Sequence, residues 1–369
     1  MPTQSEVEYL KTKHQKFSTQ KLKWSVFIGL VSNTLTAPME LIKVRSQVIA
    51  EGKCTHGWAI HRGNPAIRMV YEIADSGAGL RGLWVGLDSI IARSVYQSAV
   101  RTYLWCHIYN YYNFDARRGR SLATSTWSNF LAGFGAGLLA NPIDLVYNRQ
   151  AADALFPKEN RRNYTSFFNG LIRANNEGVL LRGALASGLS YGILLGSMSN
   201  FYDFVKEYLF FFFGPTEWLR PTALFPTALL GAYLYLPLDN IRTRLHIMTP
   251  LPDGRLPYQA IGDAFKKILS YEAKPTNYTT HHVFHSGFAS FFVKLYLSLL
   301  IGVKISDIAF RENYKEGEFV EMGDFYKQPY LKEIPHSPYN RADVNKNILD
   351  LTPTKVFYVD ESNTGSFKI

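Results

Sequence analysis

The residues best placed to do chemistry form a motif of proline, acid and arginine that occurs three times. Each copy has an acid two residues after its proline and an arginine seven residues after it, and the prolines are Pro38, Pro142 and Pro237. The acids are Glu40, Asp144 and Asp239, and the arginines are Arg45, Arg149 and Arg244. A further base follows five residues after the first and third prolines, as Lys43 and Arg242, where the middle copy has Tyr147. An acid and a base three residues apart share a helix face, so the copies can exchange ion pairs.

These pairs predict a reversible gate rather than a catalytic site. Proline removes a backbone donor and bends a helix, so three bent helices would bring the acids and bases together across a pore. We expect the pairs Asp144–Arg242 and Asp239–Lys43, with Glu40 facing Tyr147. A ring of moderate stability can open, as a gate must. The sequence shows no phosphate-binding loop, catalytic triad or dinucleotide fingerprint, so we predict that the protein is not an enzyme.

Apolar stretches close to membrane-spanning length must position these motifs. Five lie at 24–42, 128–146, 183–202, 221–237 and 287–310, and a sixth at 87–112 is interrupted by charges. A charge within such a stretch, such as Lys294, is costly against lipid. The stretches therefore predict a helical bundle that surrounds a polar cavity.

Composition restricts the class of protein further. The chain has 369 residues, 47% of them hydrophobic, and only two cysteines, which excludes a disordered chain and a cysteine-rich zinc site. His281, His282 and His285 lack supporting carboxylates, so we expect no metal. A net charge of +10 favours contact with anionic lipids or anionic solutes.

The triple motif resembles the mitochondrial carrier family over residues 20–310, with copies spaced 104 and 95 residues apart. The resemblance implies an all-α membrane protein: six transmembrane helices in three pseudo-symmetric repeats, matrix surface helices and an extended C-terminal tail. The implied boundaries are an N-terminal segment 1–22, repeats 23–118, 119–213 and 214–310, the last divergent, and a tail 311–369. The stretch from Gln150 to Gly178 is most similar to the 2-oxoglutarate/malate type.

The resemblance also assigns a substrate site on the even-numbered helices. The substrate-reading residues would be Arg93, Arg101, Ser190, Tyr191, Lys294 and Leu295. The three cations suit a dicarboxylate or keto acid, although they could instead be structural, snorkelling or paired. The oxoglutarate type has arginine where this chain has Ser190.

Two gates follow from the same resemblance. The matrix gate would comprise Glu40, Lys43, Asp144, Asp239 and Arg242. The outer gate would comprise Tyr202, Asp203, Lys206 and Asp307. Other outer positions hold Cys106, Tyr109 and Phe310, so the outer gate should be weak.

Ahead of each even-numbered transmembrane helix the family has the pair Glu-Gly. This pair is Glu177-Gly178 in the second repeat but Ala78-Gly79 in the first.

Two functions remain open from the sequence. The weak outer gate, Ser190 and the 59-residue tail favour a degenerate carrier that serves as an accessory subunit of a larger inner-membrane, respiratory-chain complex. The alternative is an active antiporter of small dicarboxylates or keto acids. Either protein would lie in the mitochondrial inner membrane with both termini toward the intermembrane space. We expect bound phospholipid such as cardiolipin, neighbouring subunits on residues 311–369, no cofactor and no nucleic acid.

Overall fold

A computed structural model describes residues 19, 22–50, 69–70, 73, 79–112, 122–156, 159, 161–213, 218–249, 256–272 and 284–311. At 109–110, 112, 122, 124, 271–272 and 307–311 it describes the backbone alone. The chain divides into two units, Met1–Met322 and Gly323–Ile369, and all described residues belong to the first. Almost all of the predicted N-terminal segment and tail, together with His281 and His282, lie outside the described residues.

The described residues form helices and no strand, as predicted. The helices are α1 (Leu22–Leu35), α2 (Ala37–Ala50), α3 (Leu87–Tyr112), α4 (Leu122–Asp153), α5 (Phe167–Asn176), α6 (Ala184–Phe213), α7 (Leu219–Ile247), α8 (Ile261–Lys267) and α9 (Phe288–Arg311). A 3-10 turn at Gly79–Trp84 precedes α3, and a π-helical turn at Ile268–Glu272 follows α8.

Six long elements account for the predicted membrane bundle. Among the described residues, three helices are long and apolar enough to cross a membrane: Ser125–Asp153 within α4, α7, and Phe288–Ser306 within α9. The helices α1 and α2 meet the same criteria together, and they count as a fourth span if the bent pair crosses as one. Helices α3 and α6 have 26 and 30 residues, which corresponds to about 39 and 45 Å and is long enough to cross. Polar residues within α3 and α6 lower their hydropathy.

Proline marks the bend in the first span and lies inside two others. Helices α1 and α2 meet at 64°, and Pro38 is the second residue of α2. Pro142 lies inside α4, and Pro237 lies inside α7. Each of the three motifs therefore occupies the C-terminal part of a long helical element, where its charged side chains can meet.

Glycine permits a close contact between α4 and α6. A Cβ atom on Gly133 would lie 2.6 Å from the carbonyl oxygen of Tyr191, and one on Gly137 would lie 2.5 Å from that of Ser187. Real Cβ atoms do not approach backbone so closely, so only glycine allows these helices their present separation. Gly133 and Gly137 lie four residues apart on α4, as Gly188 and Gly192 do on α6, which is the spacing that lets two helices approach closely.

Glycines with the same backbone conformation recur in the turns before α3, α6 and α9. Gly79 and Gly178 have φ of +58° and +66°, and Gly86 and Gly183 have φ of +74° and +75°. Gly287, ahead of α9, has φ of +81°. These positive values favour glycine, and their recurrence places Gly79 and Gly178 at equivalent points of the first and second turns.

Candidate functional site

A buried network of charges joins the motifs on α2, α4 and α7. Lys43 Nζ lies 2.9 Å from Asp239 Oδ2, and Arg242 Nη1 donates to Asp144 Oδ2 at 3.0 Å. These are the two interhelical pairs expected from the motif spacing. Arg242 Nη2 also lies 2.5 Å from Asp239 Oδ1 on its own helix, an ion contact without hydrogen-bond geometry. All four side chains are buried.

Glu40 is the second centre of this network and differs from expectation. The sequence pattern left it facing Tyr147 without a cation. Instead its carboxylate accepts from Lys43 at 3.1 Å, Arg93 at 3.0 Å and Lys294 at 2.7 Å. Arg93 arrives from α3 and Lys294 from α9, so cations outside the motifs replace the missing base. The Tyr147 ring lies 5.0 Å from the Arg93 guanidinium, which is cation–π distance.

The charges of this network do not cancel. We call its seven residues the central ion network: Glu40, Lys43, Arg93, Asp144, Asp239, Arg242 and Lys294. Arg93 Nη1 also lies 3.7 Å from Asp144 Oδ1 and so links its two halves. Three carboxylates and four cations leave one surplus positive charge in a buried setting, which favours an approaching anion. Lys294 has the most exposed side chain of the seven, at 13%.

Gln47 supports the network and was missed in the sequence analysis. Its Nε2 donates to Asp239 Oδ2 at 2.8 Å, and its Oε1 accepts from Thr243 Oγ1 at 2.7 Å. Gln47 thus ties α2 to α7 beside the Lys43–Asp239 pair. Its position four residues after Lys43, on the same helix face, was the available signal.

The other substrate-reading positions lie in different surroundings. Ser190 is buried and donates to the carbonyl of Ser187 in its own helix at 3.0 Å. The ring of Tyr191 lies 5.2 Å from the Arg242 guanidinium, and Leu295 packs against an apolar cluster. Arg101 is exposed, and its Nη2 donates to Ser25 Oγ at 3.4 Å. The structure therefore gathers Arg93 and Lys294 at Glu40 and places Arg101 apart from them.

The outer-gate positions are only partly described. Tyr202, Asp203 and Lys206 lie half-buried in the C-terminal half of α6. The side chain of Asp307 lies outside the described residues. Among the described residues, no group of three His, Cys, Asp or Glu side chains is placed to hold a metal ion.

A second polar cluster connects α4, α6 and α7. Asn141 Nδ2 donates to the carbonyls of Leu180 and Arg182 at 2.8 and 3.2 Å, so its Oδ1 is the acceptor. That Oδ1 accepts from Ser187 Oγ at 2.7 Å and lies 3.0 Å from His246 Nε2. One buried amide thus joins three helical elements.

The motif arginine of the middle repeat lies beside this cluster. Arg149 Nη1 donates to Glu177 Oε2 at 2.8 Å and to the Tyr164 hydroxyl at 2.9 Å. Its Nε donates to the carbonyl of His246 at 3.0 Å. Arg149 thereby anchors the turn before α6 to the ends of α4 and α7.

Sequence comparison relates this arrangement to known proteins. Residues 14–114 match the family model described as Mitochondrial carrier protein. The chain is 35% identical over 352 residues to the "Macronuclear solute carrier homolog CR-MSC" of Oxytricha fallax, which covers 95% of this chain and 94% of that protein. It is 28% identical over 294 residues to the "Putative mitochondrial 2-oxoglutarate/malate carrier protein" of Neurospora crassa, covering 76% and 82%. The mouse "Mitochondrial 2-oxoglutarate/malate carrier protein" is 22% identical over 249 residues, covering 66% and 77%.

Proposed function

This chain belongs to the mitochondrial carrier protein family, and from that premise we propose that it serves as a carrier-fold subunit of a larger assembly in the mitochondrial inner membrane. Family membership makes it a transporter-type membrane protein. In the proposal the carrier fold is kept, while exchange of solutes has been lost. Residues 311–369 would contact neighbouring subunits, and the abundant respiratory-chain complexes are the first candidates. Both termini would lie toward the intermembrane space, and cardiolipin and other phospholipids would surround the helices.

The observation that carries this proposal is the engagement of the substrate-reading cations. Arg93 and Lys294 both contact Glu40, and the third reading position is the neutral Ser190. A substrate anion would have to displace a buried carboxylate, and removing one partner of a buried pair costs about 3–5 kcal/mol. A carrier that alternates between two open states must break this network in every cycle. A body that stays closed keeps it intact.

The test is isolation of the intact protein from its own membrane. The full chain, carrying an affinity tag, would be extracted in mild detergent and separated on a native gel. We expect it to migrate far above its 42.0 kDa mass, with respiratory-chain subunits in fixed stoichiometry. Migration as a free carrier, with no stoichiometric partner, would refute the subunit proposal.

A second candidate function is exchange of small dicarboxylates or keto acids. The surplus positive charge of the central ion network favours it, because a dicarboxylate that reached Lys294 would meet cations in excess of carboxylates. The relatives named as 2-oxoglutarate/malate carriers add support by analogy. In this case the substrate would compete with Glu40 for Arg93 and Lys294.

Reconstitution distinguishes the two candidates. Purified protein would be placed in malate-loaded liposomes, and uptake of labelled 2-oxoglutarate would be measured. If the protein exchanges, Arg93→Ala should abolish uptake, because it removes a buried cation of the site. Lys267→Ala, which changes a surface pair with Asp263, is the control and should leave uptake unchanged. Absence of exchange of any dicarboxylate or keto acid by the unmodified protein would exclude the antiporter.

A further inference from the structure

The partners of the motif arginine differ between the first and second repeats. In the second repeat Arg149 Nη1 lies 2.8 Å from Glu177 Oε2, and Glu177 directly precedes Gly178. The equivalent turn of the first repeat has Gly79, and the residue before it is Ala78. At this one position the first repeat therefore has alanine where the second has a carboxylate.

Among the residues that the structure describes, Arg45, the equivalent of Arg149, has no charged partner. Its Nε donates to the carbonyl of Ala151 at 3.1 Å, and the residue is 7% exposed. Within the described ranges, no carboxylate oxygen lies within 4.0 Å of its guanidinium. An unpaired buried cation is costly, so this position calls for an anion.

A cleft of about 330 Å³ lies beside Arg45, and we call it the Arg45 cleft. The lining residues used here are Arg45, Asp88, Gln150, Asp153, Arg161 and Tyr164. A space of this size suits a small organic ion or inorganic phosphate. The cleft lies between the first and second repeats and does not include a residue of the central ion network.

The two carboxylates of the Arg45 cleft accept hydrogen bonds from backbone N–H groups. Asp153 already accepts from the backbone N–H groups of Arg162 and Asn163, at 2.8 and 2.7 Å. Asp88 accepts from the backbone N–H of Phe167, the first residue of α5.

Arg161, the second arginine of the cleft, also donates only some of its guanidinium N–H groups to described residues. Arg161 uses Nε and Nη2 on the carbonyls of Phe156 and Ala154, and its Nη1 has no partner among the residues that the structure describes. The Nη groups of Arg45 are equally without an acceptor there. The lining thus presents guanidinium N–H groups, while Asp153 accepts backbone N–H groups at both oxygens and Asp88 accepts one at Oδ2.

We propose that the Arg45 cleft binds a small oxyanion, a carboxylate or phosphate group, which takes the place of the acid that the first repeat lacks. The anion would accept from Arg45 and stabilise the junction between the first two repeats. The proposal is independent of whether the central ion network transports a solute. Its occupant could be a free ion or the headgroup of an anionic lipid, and the test separates these sources.

The sharpest test restores the missing acid. Purified, delipidated protein would be titrated with inorganic phosphate at constant ionic strength in chloride, and its thermal unfolding followed. We expect a saturable rise of the unfolding midpoint by about 2–4 °C. Ala78→Glu should raise the midpoint without phosphate and abolish the response to phosphate, because its carboxylate would pair with Arg45. Ala78→Gln, similar in size but uncharged, is the matched control and should keep the response.

Two further measurements test the same anion site. Arg45→Gln should remove the response even if Ala78→Glu fails to fold. If phosphate has no effect on the unmodified protein, nanodiscs with and without anionic lipid become the probe. A stabilisation by anionic lipid that Ala78→Glu removes would assign the site to a lipid headgroup. A response that Ala78→Glu and Arg45→Gln leave intact, or the absence of a response to both phosphate and anionic lipid, would overturn the proposal.

Discussion

Glu40 is a single carboxylate that contacts three cations inside the helical bundle. It contacts Lys43 on its own helix, Arg93 on α3 and Lys294 on α9. Asp239 has a comparable set of partners in Lys43, Arg242 and Gln47. Among the described residues, neutralising Glu40 would leave Lys294 without a carboxylate at ion-pair distance, whereas Lys43 would keep Asp239.

The structure predicts that the two carboxylates are of similar importance, whereas the motif alone made Asp239 the more important. Glu40→Gln and Asp239→Asn should each lower stability by about 3–5 kcal/mol, because each removes a carboxylate from a buried network in which cations already outnumber carboxylates. The measurement is thermal unfolding of purified protein in detergent. Asp263→Asn is the control: it removes a surface pair with Lys267 that water screens, and it should have a far smaller effect. Retention of full stability by Glu40→Gln would contradict the three contacts found at that carboxylate.

At the scale of elements, glycine sets the distance between α4 and α6. These helices belong to one repeat and pack along much of their length through Gly133, Gly137, Gly188 and Gly192. Hydrophobic burial does not drive helix association within lipid, so close van der Waals contact must do so. The fit of the two backbones is therefore the main source of stability of this pair.

Gly137→Ala should destabilise the protein by about 1–3 kcal/mol, because the added Cβ would lie 2.5 Å from the Ser187 carbonyl oxygen and must separate the helices. Gly262→Ala is the matched control, since a Cβ there meets nothing within 4 Å and α8 is helical. That control should be neutral or slightly stabilising, because alanine favours the helix. Equal unfolding midpoints for the two variants would show that α4 and α6 do not rely on this contact.

The hydrogen bonds of Asn141 should also stabilise the packing of these helices. Asn141→Leu should cost about 2–3 kcal/mol, since it leaves Ser187, His246 and two carbonyls without their partner. Asn33→Leu is the comparison: Asn33 donates only to the Gly29 carbonyl of its own helix and should cost less than about 1 kcal/mol. Thermal unfolding of both variants measures the difference. A smaller loss for Asn141→Leu than for Asn33→Leu would contradict the linking role of Asn141.

At the scale of the whole molecule, the described core belongs to the first of two units. The apolar clusters, the central ion network and the Arg45 cleft all lie within Met1–Met322. The second unit, Gly323–Ile369, contributes none of the described side chains. Stability of the body and attachment to a partner can therefore be measured separately.

Removal of Gly323–Ile369 should leave the unfolding midpoint of the body within about 2 °C of that of the full chain, since the described core is intact. If the chain is an assembly subunit, the same deletion should abolish co-migration with its partner on a native gel. Unchanged assembly together with newly gained exchange of dicarboxylates would show instead that the C-terminal residues blocked transport. The control is full-length protein with Lys267→Ala. A deletion of comparable length within the repeats would not be an equivalent control.

The sequence by itself determined the features that depend on spacing along one helix. The threefold motif predicted the all-α carrier fold, and it also predicted the pairs Lys43–Asp239 and Arg242–Asp144, which lie at 2.9 and 3.0 Å. The periodicity of a helix fixes which face each charge occupies, and three equivalent copies fix which faces meet.

Only the tertiary structure decided how residues from different helices combine. Arg93 and Arg101 lie two turns apart on nearly one face of α3, yet Arg93 reaches Glu40 while Arg101 contacts Ser25. Lys294 reaches Glu40 across 254 residues, and Gln47 reaches Asp239 across 192. Helical periodicity sets the direction of a side chain, but the shift and rotation of one helix against another depend on packing over the whole interface. For that reason the cations at Glu40 became visible only in the folded chain.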